Sequence, residues 1–472
     1  MVMTSIKSNV IERAGVFNPY TGKSIGSVEI ATEDMVNAAV EKCRIGAKLS
    51  RALSRAERAR ILHSAAHKIS EKIEEFSQCI VNESGKTISQ ARKEVVRCVN
   101  TLTLSAEEAK RMRGDIIPFD SFGGSENRQG HYRREPLGII VGITPYNDPL
   151  NLAAHKVGPA VASGNAIIIK PAMEAPFSAK LLVDTIIEAG FPSEGLILLT
   201  GDAQTGNALV CSPHVRMISF TGGTKTAEKI TQSAGLKKMS MDLGGNAPVI
   251  VMPDCDLDLA VTLSVSGAFW AAGQNCIGTQ RILVHDKVYD RYLKMFIEQT
   301  QALVCGDPTR QSTDVGPMIN EIIAKRAETL VKNAVEAGAK LETGGVRKGS
   351  LFNPTVLTNV PASSDIRCQE AFAPIVLIDK IKSLDDAIEI ANGPETMLHA
   401  GIFTNDLETA FRAIDNIEAA GIMINDSSDY RFDAMPFGGF KYGSMGREGV
   451  KFAIDEMTQT KVVCFNRPTK EN

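Results

Sequence analysis

The chain has 472 residues, of which 43% are apolar and 23% charged; at roughly 150 residues per domain it suggests about three structural units. Such composition excludes disordered and fibrous classes. With 52 Lys and Arg against 55 Asp and Glu, the net charge of -3 supplies no whole-chain basic field, so no nucleic-acid partner is expected.

The first hundred residues read as mainly helical. Ser54-Arg-Ala-Glu57 is a capping-box pattern that opens a long amphipathic run towards Ile80. His63 and His67 share a helix face at zinc-competent spacing, but no third ligand stands near them, so no metal is expected. The polar, glycine-flanked stretch 125–132 reads as a turn or exposed hairpin.

From Gly138 the pattern changes. Apolar runs at 138–143, 166–169, 195–199, 215–220 and 247–251 alternate with helix-length segments at 150–163, 177–190, 203–211 and 224–234. Continuous apolar strands separated by helices predict a parallel, doubly wound α/β sheet, which binds ligands at the carboxyl ends of its strands. A second α/β series follows: a helix over 257–272, a strand at 281–284, helices near 287–303 and 320–337, and strands at 375–378 and 421–424. The run 461–465 reads as a late strand able to pair with a neighbour or another subunit.

No stretch supplies the roughly 20 apolar residues of a membrane helix; the best candidate, 259–274, is broken by Thr262, Ser264, Ser266 and two glycines. No membrane partner is expected. Residues 1–10 carry no apolar run of the secretory type, and the expectation is a cytoplasmic chain. Nine widely spaced cysteines with no C-x-x-C fit reduced thiols better than a disulfide framework.

No G-x-G occurs anywhere, so the usual dinucleotide fingerprint is missing. The loop Phe220-Thr-Gly-Gly-Thr-Lys-Thr226, between a strand and a helix, is the remaining anion cradle. Cys276, in Gly273-Gln-Asn-Cys-Ile-Gly278, sits between an apolar helix and a strand, where flanking glycines expose a thiol. On composition alone a buried structural cysteine is the commoner reading.

The order of motifs changes that balance. Asn147 in Thr144-Pro-Tyr-Asn-Asp-Pro149, Lys170-Pro171, Phe220-Thr-Gly-Gly223, Asp242-Leu-Gly-Gly245, Cys276, Glu370-Ala-Phe372 and Pro436-Phe-Gly-Gly439 follow one another along the chain. In this the sequence resembles the aldehyde dehydrogenase superfamily, nearest to lactaldehyde- and semialdehyde-type members, from Asn18-Pro-Tyr-Thr-Gly22 to beyond Gly446-Arg-Glu448.

The resemblance implies two doubly wound α/β domains with a small β oligomerisation element. Residues 1–114 and 136–243 would bind a dinucleotide, 244–442 would be catalytic, and 115–135 and 456–472 would pair across a homodimer or homotetramer. It further implies oxidation of a small polar aldehyde, hydroxyaldehyde or semialdehyde, to its acid. Cys276 is then the nucleophile, and the Asn147 amide with the Cys276 N–H forms the oxyanion hole. Asp242 stands where the family usually has a Glu base, one methylene longer. Lys170 and Pro171 would lie at the adenosine ribose, Gly222, Gly223 and Thr224 at the pyrophosphate, Glu370 at the nicotinamide ribose and Phe372 beside the ring. Met173 occupies the position where NAD-type members often carry Glu. Less repulsion for a 2′-phosphate leans the expectation to NADP over NAD. Asp148, Asn275 and Arg431 are the substrate-pocket candidates, and the acidic Asp148 argues against a strongly anionic substrate. Two other readings stay open: an acylating enzyme that passes the thioester to coenzyme A, and an inactive binding member of the fold.

Overall fold

The computed structural model describes residues 12–467; the outer ends of the expected domain ranges, 1–11 and 468–472, lie outside them. A six-stranded sheet runs in the order Ser444–Met445, Lys238–Asp242, Val215–Thr221, Ile139–Ile143, Ala166–Lys170, Leu196–Leu198. Its strands are parallel except Ser444–Met445, which pairs antiparallel with Asp242 and Met241. Both faces are covered. Asn151–Ser163 is buried at every position, which explains why its sequence is apolar on all sides rather than striped. Val450–Glu456 also packs against this sheet's core, through Val450 and Ile454.

A second sheet of seven strands has the order Lys340–Thr343, Thr355–Thr358, Ile375–Ile381, Thr279–His285, Ala247–Val251, His399–Phe403, Gly421–Ile424. Only Lys340–Thr343 runs antiparallel. A separate three-stranded antiparallel sheet joins Thr458–Asn466, Arg128–Pro136 and Asp115–Ile117. The layout is the doubly wound pair with a small β element that the motif order implied.

Three details differ from the sequence reading. The long run after Ser54 is two helices, Arg55–Glu71 and Ile73–Ser84, parted at Lys72. Before them lies a hairpin, Arg13–Phe17 with Ser24–Glu29, in a region read as helical. The helix expected to reach 272 ends at Phe269, because Ala271 and Ala272 take left-handed φ of 50° and 55°. Such backbone is costly for residues with a Cβ and collects at functional sites. Here it turns the chain towards Cys276.

Among the described residues no helix is long and apolar enough to cross a membrane, and no group of three or more His, Cys, Asp or Glu could hold a metal ion. His63 and His67 face Glu107 and Glu71 at 3.2 and 3.5 Å. All nine cysteines are free.

Candidate active site

The carboxyl end of the first sheet carries the expected cofactor residues. Lys170 closes the strand Ala166–Lys170 and lines a cavity of about 1170 Å³ together with Thr32, Asp202, Gly206, Phe220 and Lys229. Burial pushes the Lys170 ammonium down, while Asp202 and Glu174 pull it back up. Met173 is half-buried beside the exposed Glu174. Gly222 donates its N–H to the Asp242 carbonyl at 3.0 Å, and Gly223 caps the helix Thr224–Ala234. A helix leaves its first N–H groups unpaired, and a Cβ added at Gly223 would meet nothing within 4 Å. That open, amide-lined helix start beside a large cavity fits a dinucleotide's pyrophosphate.

Glu370 and Phe372 approach from the second sheet. Gly244, at φ +89°, lies so close that an added Cβ would stand 2.6 Å from Glu370 Oε2. Burial pushes the Glu370 carboxyl up to about 8, against a hydrogen bond from the Gly245 N–H. Its Oε1 has no partner. Phe372 holds a strained φ of 48° and meets the Tyr146 ring edge-on at 6.0 Å, which brings the Asn147 loop over this cleft.

Cys276 follows a tight turn. Gly273 at φ +67° leaves only 2.1 Å between an added Cβ and the Ala373 carbonyl oxygen. The Asn275 side chain accepts the Ile277 N–H at 3.3 Å and so shapes the nucleophile's own loop, and it lines a small cavity with Glu370 and Phe372. The half-buried Cys276 packs with Ile277, Leu398 and Phe437. Burial, then Asp242, push its thiol well above the ordinary range, while Arg431 pulls the other way. The resting group is a thiol, so attack requires a base at hand.

Asp242 is that neighbour. It ends the strand Lys238–Asp242, is 2% exposed, and neither carboxylate oxygen has a hydrogen-bond partner. Burial and then Glu448 push its carboxyl up; Arg431 and Lys156 oppose them. Glu448 itself is held low despite burial, by Lys156 and then Arg431. The Lys156 ammonium donates to Glu448 Oε1 at 3.1 Å, Thr221 Oγ1 at 2.9 Å and Ser219 Oγ at 3.1 Å. Arg431 lies 3.5 Å from Glu448 Oε2, with its guanidinium 3.6 Å above the Phe437 ring and its buried Nε unpartnered.

Asp148, expected to disfavour a strongly anionic substrate, is not an isolated charge. It pairs with Lys86 and, at 3.2 Å, with Arg97. Lys86 in turn pairs with Glu94 at 2.7 Å, and Glu94 accepts the N–H groups of Leu150 and Asn151 at 2.9 and 3.1 Å. These partly buried ion pairs offset the Asp148 charge and tie down the loop that carries Asn147.

Thus Cys276, Asp242 and Arg431 converge, Glu370 and Phe372 close one side, and Lys170, Gly222, Gly223 and Thr224 line the other. The sequence reading gave no role to Lys156, Lys86, Arg97 or Glu448. A lysine in the largely apolar segment 150–163 is the signal for the first; Glu448 stands in the motif Gly446-Arg-Glu448 without a role assigned to it.

The whole arrangement has relatives. The aldehyde dehydrogenase family model matches residues 6–463. Aspartate-semialdehyde dehydrogenase 1 of Pseudomonas canavaninivorans is 57% identical over 451 residues, 96% of each chain. Aldehyde dehydrogenase 21 of Physcomitrella patens, solved with the reaction product succinate, superposes with a TM-score of 0.95 at 36% identity, covering 98% of this chain and 97% of that one. The glyceraldehyde-3-phosphate dehydrogenase GapN of Methanocaldococcus jannaschii, solved with NADP, gives 0.93 at 38% identity, covering 97% and 100%.

Proposed function

Since the chain belongs to the aldehyde dehydrogenase family and is an NAD(P)-dependent oxidoreductase of small aldehydes, we propose that it oxidises an aldehyde bearing an anionic tail to the corresponding acid through Cys276. The carrying observation is Arg431. A buried guanidinium with an unused N–H is costly unless a substrate supplies the acceptor, and this one and Cys276 both pack on Phe437. Arg97, whose Nε is likewise buried and unpartnered and whose partners Asp148 and Asp433 adjoin Asn147 and Arg431, is the second cation of this reading. Asp148, paired with Lys86 and Arg97, does not stand there as a free negative charge. The relatives that act on aspartate semialdehyde and that hold succinate carry the same chemistry in their names.

Asp242 accepts the Cys276 proton, and the thiolate adds to the aldehyde carbon as the C=O electron pair moves to oxygen. The Asn147 amide and the Cys276 N–H stabilise that oxyanion. A bound nicotinamide supplies the hydride acceptor. After Asp242 has released the first proton to solvent, it takes the proton of the water that opens the thioester, and the C–S bond breaks with Cys276 leaving as the thiolate. Glu448 adds to burial in raising the Asp242 carboxyl and so keeps it basic enough to take that proton, while Arg431 and Lys156 pull the other way. An unpartnered carboxylate beside the nucleophile favours water over coenzyme A as the acyl acceptor.

Lys170 and Lys229 around the cavity, with Met173 in place of a carboxylate, support NADP over NAD. The strand Thr458–Asn466 is the edge of its sheet, with Val462 and Phe465 each 60% exposed; such an edge pairs with a second copy to form a homodimer or homotetramer. A panel of carboxylate-tailed and uncharged aldehydes, followed through NADPH and NADH formation, tests the reading. Equal kcat/KM for the two aldehyde classes would contradict it.

A further inference from the structure

We propose that His155 and Asp433 are a positioning pair that locks Arg97 for reading the substrate's tail charge and so sets specificity without touching the reacting atoms. This rests on the anionic-tail reading above. Asp433 is 3% exposed and lies in the loop after strand Gly421–Ile424. Its Oδ1 accepts three hydrogen bonds: from His155 Nε2 at 3.0 Å, Asn151 Nδ2 at 3.2 Å and Arg97 Nη2 at 3.2 Å. His155 and Asn151 stand four residues apart on one helix, so both donors leave the same face.

Each partner is itself fixed. Thr101 Oγ1 donates to Asn151 Oδ1 at 2.9 Å, which turns the amide's Nδ2 towards Asp433. Donation from His155 Nε2 assigns the proton to that nitrogen and leaves Nδ1, buried and unpartnered, as a bare lone pair. An orphaned polar atom in a core is kept where the opposite bond matters.

Arg97 is then clamped at both terminal nitrogens: Nη2 by Asp433, and Nη1 by Asp148 Oδ2 at 3.2 Å. Only Nε remains without a partner. A guanidinium held in its plane loses little freedom on binding a carboxylate. Asp148 adjoins Asn147, and Asp433 lies two residues beyond Arg431. Asp433 therefore holds the two tail-reading cations in one frame, while the Asn147 loop keeps its own anchor through Lys86 and Asp148.

Steady-state kinetics on the full-length enzyme test this, comparing succinic semialdehyde with butyraldehyde, its uncharged counterpart. Asp433→Asn should raise KM for succinic semialdehyde about tenfold, the scale of losing one charge-assisted contact, with kcat and the butyraldehyde constants close to parental. His155→Phe, which keeps ring volume but no donor, should do the same to a smaller degree; His155→Gln, which restores an N–H, should recover. NADP binding and thermal melting confirm that each variant is folded, and His155→Phe carries the comparison if Asp433→Asn does not fold. A parent enzyme that does not prefer succinic semialdehyde overturns the anionic-tail reading and this proposal with it. A parent that prefers it, with the preference unchanged in the folded variants or with both substrates' KM rising together, overturns the positioning role alone.

Discussion

Lys156 Nζ stands 3.1 Å from Glu448 Oε1, and the two side chains are 1% and 8% exposed. They join elements 292 residues apart in sequence directly behind Asp242, whose carboxyl Glu448 pushes up and Lys156 pulls down. The basicity of the site is therefore set by a balance between two neighbours of opposite sign.

Glu448→Gln tests that balance. Removing the like charge lets the Asp242 pKa fall, so the acid limb of the kcat–pH profile should move to lower pH, with activity present where the parent has lost it. A limb that stays in place or moves to higher pH would show that Glu448 does not act on the base. The variant should also lose stability, by about 3–5 kcal/mol if Lys156 is left without a charged partner, as read by chemical denaturation.

Asp148→Asn should lower kcat and leave KM for cofactor unchanged. The loop carrying Asn147 is held by the Lys86 and Arg97 pairs of Asp148, so loosening it weakens oxyanion stabilisation. Loss of one such donor costs about 10²–10³ in kcat, and partial misplacement should cost less. Parental kcat in a folded variant would mean that the loop needs no such anchor.

Met173→Glu should shift preference from NADP to NAD. A carboxylate there accepts the 2′-hydroxyl and repels a 2′-phosphate, a change of about 1–3 kcal/mol in relative affinity. Fluorescence titration of both cofactors reads it directly. Unchanged affinities would place the ribose elsewhere.

Gly244→Ala should weaken cofactor binding without unfolding the chain. The residue has φ +89°, and the new Cβ would stand 2.6 Å from Glu370 Oε2, so the carboxylate must leave its place. Titration with NADP should show lost affinity while thermal melting stays near that of the parent.

Residues that lie in ordered motifs were legible in the sequence, because strand ends carry the ligand chemistry of a doubly wound sheet and local glycine patterns mark them. Cys276, Asp242, Glu370 and Lys170 all belong to this class. The clamp and relay residues were not. Arg97 sits mid-helix and reads as a solvated charge, yet its partner Asp433 is 336 residues away. Asp148 was taken for a free negative charge because Lys86, 62 residues earlier, gives no local sign of reaching it. The end of the helix at Phe269 was hidden for another reason: Ala271 and Ala272 are good helix formers, and only the tertiary demand for the Cys276 turn overrides them.

Mass spectrometry of Asp242→Asn, mixed with succinic semialdehyde and NADP, reaches the central claim most directly. Losing the base should slow hydrolysis by about 10²–10⁴, and at alkaline pH, where hydroxide takes the Cys276 proton in its place, addition and hydride loss should continue, so an acyl group should accumulate on the peptide containing Cys276 and vanish in the Asp242→Asn, Cys276→Ser double variant. Turnover at the parental rate with no acylated Cys276 peptide would contradict the account.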